Sequence, residues 1–425
     1  MREIKIAILG MGTVGGGIYK LIEQESASIM HNEHIKLVVK KTLALDYSID
    51  VPEKIKARDI DEIVNDSEIE IVAEVMGGVH PAKEFEMKCL HAGKTVVSAN
   101  KDMISQNWPD LEEAAKKGGG GLYFEAAVGG GIPILRALYD SMQANTIDQV
   151  YGIVNGTTNY ILTKMSGDGL DFRDALKEAQ ALGYAEANPT SDVEGYDARY
   201  KLSILASLAF HVRVPVEEIY CEGITGVTKL DIEIANELGY VVKLLAIGKK
   251  TANGGIEARV HPTMLKKDHA LASIKGSFNA IFINGSAVGE MMWYGKGAGD
   301  LPTASALVSD MLYAANVEKH RHATFENKYD AGLAQINDNW RTKYYMRANV
   351  LDAPGVLAKI AGIFAKYDVS IESVLQRPGE GAFAPLILVT HEADEKDLRG
   401  AVDAIGEIPE VEARPAIIRV EEQEG

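Results

Sequence analysis

Short apolar runs alternate with amphipathic segments over the first third of the chain. The runs that predict buried strands are residues 4–9, 35–45, 69–76, 94–98 and 121–126. Between them, residues 18–29 and 82–91 have the spacing of apolar side chains that is typical of helices. Alternating apolar strands and helices indicate a doubly wound parallel sheet, so we expect an α/β domain of the Rossmann type over residues 1–133. A helix at residues 303–318 is expected to return to this sheet.

The pattern changes in the middle of the chain. Helical segments at residues 171–182, 197–210 and 228–238 mix with strand-like runs at residues 150–154, 241–249, 256–260 and 280–283. This mixture predicts an α+β domain over residues 134–320. Residues 321–342 are polar and weakly periodic, which is typical of a linker.

The last part of the chain, residues 343–425, predicts a separate small domain. Strands are expected at residues 344–350, 369–375, 385–390 and 411–420, and helices at residues 356–367 and 394–405. The resulting order βαββαβ is that of the ferredoxin-like fold.

Composition and charge narrow the possible functions. The chain has 425 residues, and 44 basic against 61 acidic side chains give a net charge of −17. An acidic surface repels phosphate backbones, so nucleic acid is not expected as the main partner. We expect a cytoplasmic protein with no membrane segment, because no apolar run reaches the ~18–20 residues of a span and no signal peptide precedes the first strand. Two cysteines are too few for a disulfide framework.

A glycine motif follows the first predicted strand. Gly10, Gly12 and Gly15 match G-x-G-x-x-G, with Met11, Thr13 and Val14 between them. Because the motif lies between a strand and a helix, it predicts a turn that holds the pyrophosphate of a dinucleotide at the helix N-terminus. Asp46, at the end of the second strand, favours NAD through the ribose hydroxyls. It lies further from Gly15 than the usual ~20 residues, so the choice between NAD and NADP stays open.

Two further turns follow predicted strands. Lys101 comes directly after the strand at 94–98, where ligands of open α/β sheets bind. Glu125 precedes the glycines at 129–131. Its carboxylate either binds a cation together with backbone carbonyls or accepts hydrogen bonds from the turn, and the residues alone favour the second interpretation.

Asp197 and Lys201 are four residues apart on a predicted helix, so their side chains are neighbours. The same stripe continues through the apolar Ile204 and Leu208, which places the charged pair on the inward side. Burying an ion pair is costly unless it has another role. We therefore weigh a proton-transferring lysine against a structural ion pair.

The glycine-dense turn at residues 295–303 has two interpretations. Its backbone either approaches the nicotinamide of the cofactor or only leads into the next helix.

Together these motifs resemble those of the homoserine dehydrogenase family. The matching segments, in the family's order, are residues 10–15, 98–101, 124–133, 155–162, 181–201 and 295–306. Residues 351–357, Leu-Asp-Ala-Pro-Gly-Val-Leu, resemble the start of an ACT regulatory domain.

The resemblance implies reversible, NAD- or NADP-dependent interconversion of L-homoserine and L-aspartate 4-semialdehyde in the threonine and methionine branch of aspartate metabolism. It implies Lys201 as the acid/base, Asp197 and Glu186 as substrate-binding carboxylates, and Lys101 close to cofactor and substrate. It further implies that Gly183 and Gly299 lie at the cofactor. A monovalent cation, Na⁺ or K⁺, is implied at Glu125, Val128, Gly130 and Ile132.

The ACT resemblance implies feedback control by an amino acid, with L-threonine as the expected effector. The turn with Asp352 and Gly355 precedes the helix that begins at Val356, where backbone N–H groups are suited to a carboxylate. Paired ACT domains would support a homodimer or homotetramer, with residues 134–320 as the catalytic and dimerisation domain.

Three positions depart from common members of the family. Asn188 replaces an aspartate, Ser98 replaces a threonine, and Ala44 replaces the arginine that some NADP-preferring members have.

Two other functions remain to be weighed. Aspartate-semialdehyde dehydrogenase needs a cysteine nucleophile, for which neither Cys89 nor Cys221 is well placed. A regulator that senses nucleotides would not need Asp197 and Lys201 on an inward stripe.

Overall fold

The computed structural model describes residues 1–251, 254–323, 325, 335–379 and 381–422. The first third of the chain alternates strands and helices. Its elements are β1 (Arg2–Met11), α1 (Thr13–Gln24), α2 (Ser26–Glu33), β2 (Ile35–Tyr47), α3 (Asp61–Val64), β3 (Ile69–Glu74), α4 (Ala82–His91), β4 (Thr95–Ser98), α5 (Lys101–Gly118) and β5 (Leu122–Tyr123).

These five strands form one parallel sheet with the order β2-β1-β3-β4-β5. The chain leaves β1 on one side to form β2 and returns on the other side to form β3. The carboxyl ends of β1 and β3 therefore border a crevice at the point where the strand order reverses, which is where open α/β sheets bind ligands. Apolar side chains such as Ile6, Ile8 and Val72 are fully buried in this sheet.

The middle of the chain forms a mixed sheet with helices on it. Its elements are β6 (Ile147–Ile153), α6 (Gly156–Gly167), α7 (Phe172–Ala181), α8 (Thr190–Val193), α9 (Tyr196–Phe210), β7 (Tyr220–Cys221), α10 (Lys229–Glu237), β8 (Tyr240–Lys250), β9 (Ile256–Lys266), β10 (Phe278–Gly285), β11 (Gly289–Lys296) and α11 (Asp300–Asn316). Helix α11 returns to the first sheet, and the Cβ of Ala304 lies 3.4 Å from where a Cβ on Gly17 would be.

The C-terminal part has the order βαββαβ, with a short extra strand before its second helix. Its elements are β12 (Arg341–Leu351), α12 (Val356–Lys366), β13 (Ile371–Gln376), β14 (Phe383–Thr390), β15 (Ala393–Asp394), α13 (Glu395–Gly406) and β16 (Ala416–Glu421). The four main strands lie in the order β16-β12-β14-β13. Strand β16 also pairs in parallel with β9, so that Arg419, Val420 and Glu421 lie opposite Thr263, Met264 and Leu265. The sheet of the middle domain and the sheet of the C-terminal domain therefore form one continuous sheet.

The predicted fold class is confirmed, while several elements differ from their predicted bounds. The segment predicted as one helix at 18–29 is two helices, separated at Glu25. The strand predicted at 121–126 ends at Tyr123, because Glu125–Ala127 turns into a 3₁₀ helix. Helix α6 and the edge strand β11 were not predicted. The proposed linker at 321–342 overlaps the start of β12 at Arg341, and residues 324 and 326–334 of it lie outside the described residues.

Candidate active site

The glycine turn after β1 has the shape that a dinucleotide requires. Gly10 has φ +95°, and a Cβ on it would lie 2.7 Å from the Val75 carbonyl oxygen. A Cβ on Gly15 would lie 2.0 Å from the carbonyl oxygen of Gly10. Around Gly12, in contrast, no heavy atom of the described residues other than Gly12 and its two neighbours lies within 4 Å of such a Cβ, and no side chain among them caps helix α1. The free space and uncapped N-terminus fit a phosphate at Thr13 and Val14.

The end of strand β2 borders the same turn. Leu9 pairs with Leu43 and Met11 with Tyr47, so Ala44, Leu45 and Asp46 form an irregular segment between the two pairs. Ser48, which was not predicted, donates a 2.9 Å hydrogen bond from Oγ to the Gly12 carbonyl oxygen. Residues 44–46 are thus expected to lie beside the ribose that is attached to the pyrophosphate. None of these three residues has a basic side chain that could bind a 2′-phosphate.

Three of the predicted site residues meet where the first sheet contacts the middle domain. Asp197 and Lys201 lie on α9, and the Nζ of Lys201 is 2.7 Å from the Asp197 Oδ2. Lys101 begins α5 beyond β4, and its Nζ is 3.5 Å from the Asp197 Oδ1. The Lys201 Nζ also donates a 2.7 Å hydrogen bond to the Val154 carbonyl oxygen. One carboxylate therefore contacts two ammonium groups from different domains.

The electrostatics of this cluster follow from burial and charge. Burial opposes the charge of Asp197, but Lys201 and Lys101 outweigh it and lower the pKa of this carboxyl to about 2. Burial alone would lower the pKa of Lys101, yet Asp197 and Asp102 raise it above the ordinary lysine value. The Lys201 side chain is 11% exposed. An ammonium has three hydrogens, so two bonds leave Lys201 one for a ligand.

Two residues of the cluster were missed as site residues. The Asn155 amide donates from Nδ2 to Asp192 Oδ1 at 2.7 Å and to Asp197 Oδ2 at 2.9 Å. Asn155 also caps α6, because its Oδ1 accepts from the Thr158 amide at 2.8 Å. Burial and the nearby Asp197 raise the pKa of Asp192. In the sequence, Asn155 begins the family-like segment 155–162, and Asp192 lies in the family-like segment 181–201.

The other predicted substrate and cofactor residues lie outside this cluster. Glu186 is exposed on the loop between α7 and α8, and Gln180 donates a 3.0 Å hydrogen bond to its backbone oxygen. Gly183 has φ +76° on the same loop. Gly299 precedes α11 with φ +125°. The structure therefore brings Lys101, Asp197 and Lys201 together, whereas among the described residues no hydrogen bond or ion pair joins Glu186 to them.

The Glu125 carboxylate accepts backbone hydrogen bonds, which was the second interpretation from the sequence. Its oxygens accept from the amides of Leu135 at 2.8 Å and Arg136 at 2.7 Å. Burial and the charge of Asp310 raise the pKa of Glu125 to about 7. Within the described ranges, no group of three His, Cys, Asp or Glu side chains is arranged to hold a metal.

The cysteines lack the properties of a nucleophile. Cys89 is completely buried, and burial raises the pKa of its thiol to about 12. Burial also raises the pKa of Cys221, to about 11. A nucleophilic cysteine needs its thiolate form near neutral pH. The chemistry of aspartate-semialdehyde dehydrogenase is therefore not supported.

Family models match three successive parts of the chain. The model described as homoserine dehydrogenase matches residues 133–312, and its NAD-binding domain matches residues 10–125. An ACT domain model matches residues 344–410. The chain belongs to the homoserine dehydrogenase family. It is an oxidoreductase with a nicotinamide-dinucleotide-binding domain.

Relatives match over the full length of this homoserine dehydrogenase. The chain is 39% identical to the homoserine dehydrogenase of Synechocystis, with 98% of this chain and 99% of the relative covered. It is 37% identical to that of Bacillus subtilis, with 99% of both covered. The solved homoserine dehydrogenase of Thiobacillus denitrificans superposes with a TM-score of 0.89 at 37% identity and 99% coverage of both chains.

One solved relative contains a cofactor. A hyperthermophilic archaeal homoserine dehydrogenase in complex with NADPH matches with a TM-score of 0.64 at 28% identity, covering 75% of this chain and all of that one.

The predicted effector turn lies before α12. Gly355 has φ +90° and caps α12 without a side-chain hydrogen bond, and Val356 is buried. The Asp352 Oδ1 accepts a 3.1 Å hydrogen bond from Gln376.

Among the residues that the structure describes, no helix is long and apolar enough to cross a bilayer.

Proposed function

We propose that this homoserine dehydrogenase interconverts L-homoserine and L-aspartate 4-semialdehyde with Lys201 as the acid/base. The contact of Lys201 with Asp197 at the domain boundary carries the proposal, because it fixes an ammonium group beside the crevice after β1 and β3. A bound nicotinamide accepts or supplies the hydride. During oxidation, Lys201 in its neutral amine form takes the hydroxyl proton and becomes the ammonium. During reduction it donates that proton to the carbonyl oxygen and stabilises its developing charge.

Purified protein tests this proposal directly. We expect L-homoserine to drive reduction of NAD⁺ or NADP⁺, measured by the absorbance of the reduced nicotinamide. L-Serine, which lacks one methylene, serves as the control substrate. The absence of homoserine-dependent reduction with both cofactors would contradict the assignment.

The remaining acidic groups suit a zwitterionic substrate. We propose that Asp197 and Glu186 bind the substrate ammonium, with Lys101 close to both substrate and cofactor. Lys101 is 34% exposed, so it is accessible from the cleft. Exposed Glu186 reaches the substrate only if its loop moves inward, and a higher KM with nearly unchanged kcat in Glu186→Gln would support this role.

The dinucleotide is expected along the turn from Gly10 to Gly15, with Gly183 and Gly299 bordering the nicotinamide half. Asp46 favours NAD because its carboxylate repels a 2′-phosphate, although Lys40 and Lys41 belong to the same strand. Comparing kcat/KM for NAD⁺ and NADP⁺ determines the preference.

A monovalent cation, Na⁺ or K⁺, is proposed at Glu125 together with the backbone carbonyls of Val128, Gly130 and Ile132. The carbonyl oxygens of such a turn are the hard ligands that Na⁺ and K⁺ prefer. We expect thermal stability to rise with NaCl or KCl more than with the chloride of a bulky organic cation. Equal shifts would contradict the site.

We propose regulation by L-threonine at the turn of Asp352, Gly355 and Val356. Support comes from the uncapped N-terminus of α12, which suits a carboxylate. Because β16 pairs with β9, removing the ACT domain would expose a central strand. The better test is Asp352→Asn, which we expect to weaken inhibition by L-threonine.

We further propose a homodimer or homotetramer. The edge strands support it, since β11 exposes Met292 and Tyr294, and β13 exposes Val374 and Leu375. Light scattering after gel filtration measures the mass of the assembly directly.

We place the enzyme in the cytoplasm, where free thiols such as Cys89 stay reduced. Its proposed role there is in threonine, methionine and isoleucine biosynthesis.

A further inference from the structure

A polar cavity of about 320 Å³ lies between the ACT domain and the middle domain. One wall is the segment from Tyr220 to Val227, and the other is formed by Arg399 of α13 and by residues 414–419, which include the start of β16. This volume is at the lower end of ordinary small-molecule sites, ~300–1,000 Å³. The cavity is distinct from the turn that precedes α12.

Charged groups of both signs line this cavity. Arg414 donates from Nε to Asp403 at 2.7 Å, and Arg399 donates from Nε to Glu395 at 2.6 Å. The Arg399 guanidinium also lies over the Tyr220 ring, 4.5 Å from its centroid, and within the described part of the chain the Nη groups of neither arginine donate a hydrogen bond.

The opposite charge comes from Glu222 and from Asp231, of which Asp231 is already paired with Arg347 at 2.7 Å. The Glu222 Oε2 accepts from the Tyr220 hydroxyl at 2.6 Å and also from Arg419, whereas Oε1 has no partner in the described ranges. Arg419 is already paired with Glu222 and Glu395. The available groups are therefore two guanidinium forks and one carboxylate oxygen.

We propose that this cavity binds a small L-α-amino acid. Its carboxylate would accept hydrogen bonds from the Nη groups of Arg399 and Arg414, and its ammonium would donate to the Glu222 Oε1. This inference rests on the proposed regulation by an amino acid, but it assigns a second site, formed within one chain. Fixed opposite charges select a zwitterion over a simple acid or amine.

The wall of the cavity is bonded to the segment that carries the active site. The Ile224 amide donates to the Val193 carbonyl oxygen at 2.8 Å, and the Cys221 Sγ donates to the Glu194 carbonyl oxygen at 3.3 Å. A Cβ on Gly223 would lie 2.1 Å from the Val193 oxygen, so the two backbones are in direct contact. Because Asp197 follows three residues after Glu194, a ligand that shifts Glu222 also shifts the start of α9.

Calorimetric titration of the full-length protein tests the binding. The probes are L-threonine, L-isoleucine and L-methionine, with L-threonine amide and 3-hydroxybutyrate as analogues that lack one charge. We expect Arg414→Gln to weaken binding of the tightest amino acid about tenfold or more. The matched control is Asp403→Asn, which breaks the same ion pair but keeps the guanidinium, and we expect less than a twofold change.

Hydrogen exchange locates the ligand independently of affinity. We expect the amino acid to slow exchange of amides in residues 220–227. Three outcomes would overturn the proposal: no binding of any probe amino acid, equal affinity of Arg414→Gln and the unchanged protein, or loss of binding with Asp352→Asn alone. Homoserine oxidation without effector is measured on the same samples, so a failure of the proposed function is seen separately.

Discussion

The Lys201 ammonium contacts the Asp197 carboxylate one helical turn away, at 2.7 Å, in a place where both side chains are mostly buried. An exposed pair at this spacing would contribute little. Here Lys101 approaches the other carboxylate oxygen from a different domain. Asp197 therefore joins the two domains through Lys101 and holds the proposed acid/base at their boundary.

Replacing Lys201 should remove proton transfer without removing the cofactor site. We expect Lys201→Ala to lower kcat for homoserine oxidation about 10²–10⁴-fold. The affinity for the dinucleotide, measured by fluorescence titration, should stay within about twofold because Gly10–Gly15 lies on another domain. Lys164→Ala is the matched control, since Lys164 forms an exposed pair with Asp168 at the same spacing. Near-normal kcat in Lys201→Ala would refute the assigned role.

Replacing Asp197 should destabilise the protein and change its response to acid. Asp197→Asn leaves two ammonium groups without their carboxylate, so we expect a loss of about 3 kcal/mol in unfolding free energy at pH 7. Since folding lowers the pKa of Asp197 from 3.8 to about 2, its contribution to stability is complete above about pH 5 and is lost as the pH falls towards 2.

Urea unfolding between pH 7 and pH 3 measures both effects. The variant should lose less stability than the unchanged protein as the pH falls below 4. Asp168→Asn is the control, because Asp168 forms an ion pair with Lys164 at the same spacing on an exposed part of another helix. An equal acid dependence in all three proteins would argue against the assigned electrostatics.

Local patterns were sufficient for those parts of the site that lie on one element. The bounds predicted for the helix at 82–91 agree with α4, and the spacing of Asp197 and Lys201 correctly placed them on one face. Contacts between elements were not accessible in this way. Lys101 reaches Asp197 only because α5 packs on α9, and Asn155 reaches Asp192 only through the packing of α6 against α8.

The same limit explains the unpredicted features of the sheets. Strand β11 lies at an edge of the sheet and buries none of its side chains, so it lacks both the alternation and the buried run by which strands were predicted. The parallel pairing of β9 with β16 joins residues more than 150 positions apart, for which a single sequence has no local signal. The role of Glu125 depended on where the amides of Leu135 and Arg136 lie.

The glycine turn allows cofactor binding to be separated from folding. Gly12 is surrounded by free space, so Gly12→Ala should change the unfolding free energy by no more than about 1 kcal/mol while weakening dinucleotide binding about tenfold. In Gly15→Ala the new methyl would collide with the Gly10 carbonyl, so stability and binding should both fall. Thermal unfolding and cofactor titration distinguish the two. Unchanged cofactor affinity in Gly12→Ala would show that the dinucleotide lies elsewhere.

The cofactor preference should respond to a positive charge at the end of β2. Ala44 lies in the irregular segment between Leu43 and Tyr47. We expect Ala44→Arg to raise the ratio of kcat/KM for NADP⁺ over NAD⁺ at least about tenfold, because a guanidinium pairs with the 2′-phosphate. Ala44→Gln, which is long but uncharged, is the control. An equal change with glutamine would exclude a charge effect.

A buried pair of carboxyl groups beneath the site should make stability depend on pH. Glu74 ends β3, and its carboxylate accepts hydrogen bonds from the Met76 amide at 2.7 Å and the Ser98 hydroxyl at 2.9 Å. Glu86 on α4 is completely buried, and in the described structure neither of its carboxyl oxygens has a hydrogen-bond partner. Burial and the charge of Glu74 raise the pKa of Glu86 well above 4.5.

Glu86 is therefore protonated in the folded protein at a pH where the unfolded chain has released the proton. The unfolding free energy therefore falls as the pH rises above about 4.5. It stops falling once the pH exceeds the pKa that Glu86 has in the folded protein. Glu86→Gln is neutral at every pH, so its unfolding free energy should exceed that of the unchanged protein by about 1 kcal/mol or more at pH 8, and the difference should shrink towards pH 5. Glu84→Gln, an exposed neighbour on α4, should show no such trend. Parallel stability curves for Glu86→Gln and the unchanged protein would mean that Glu86 is ionised in the fold.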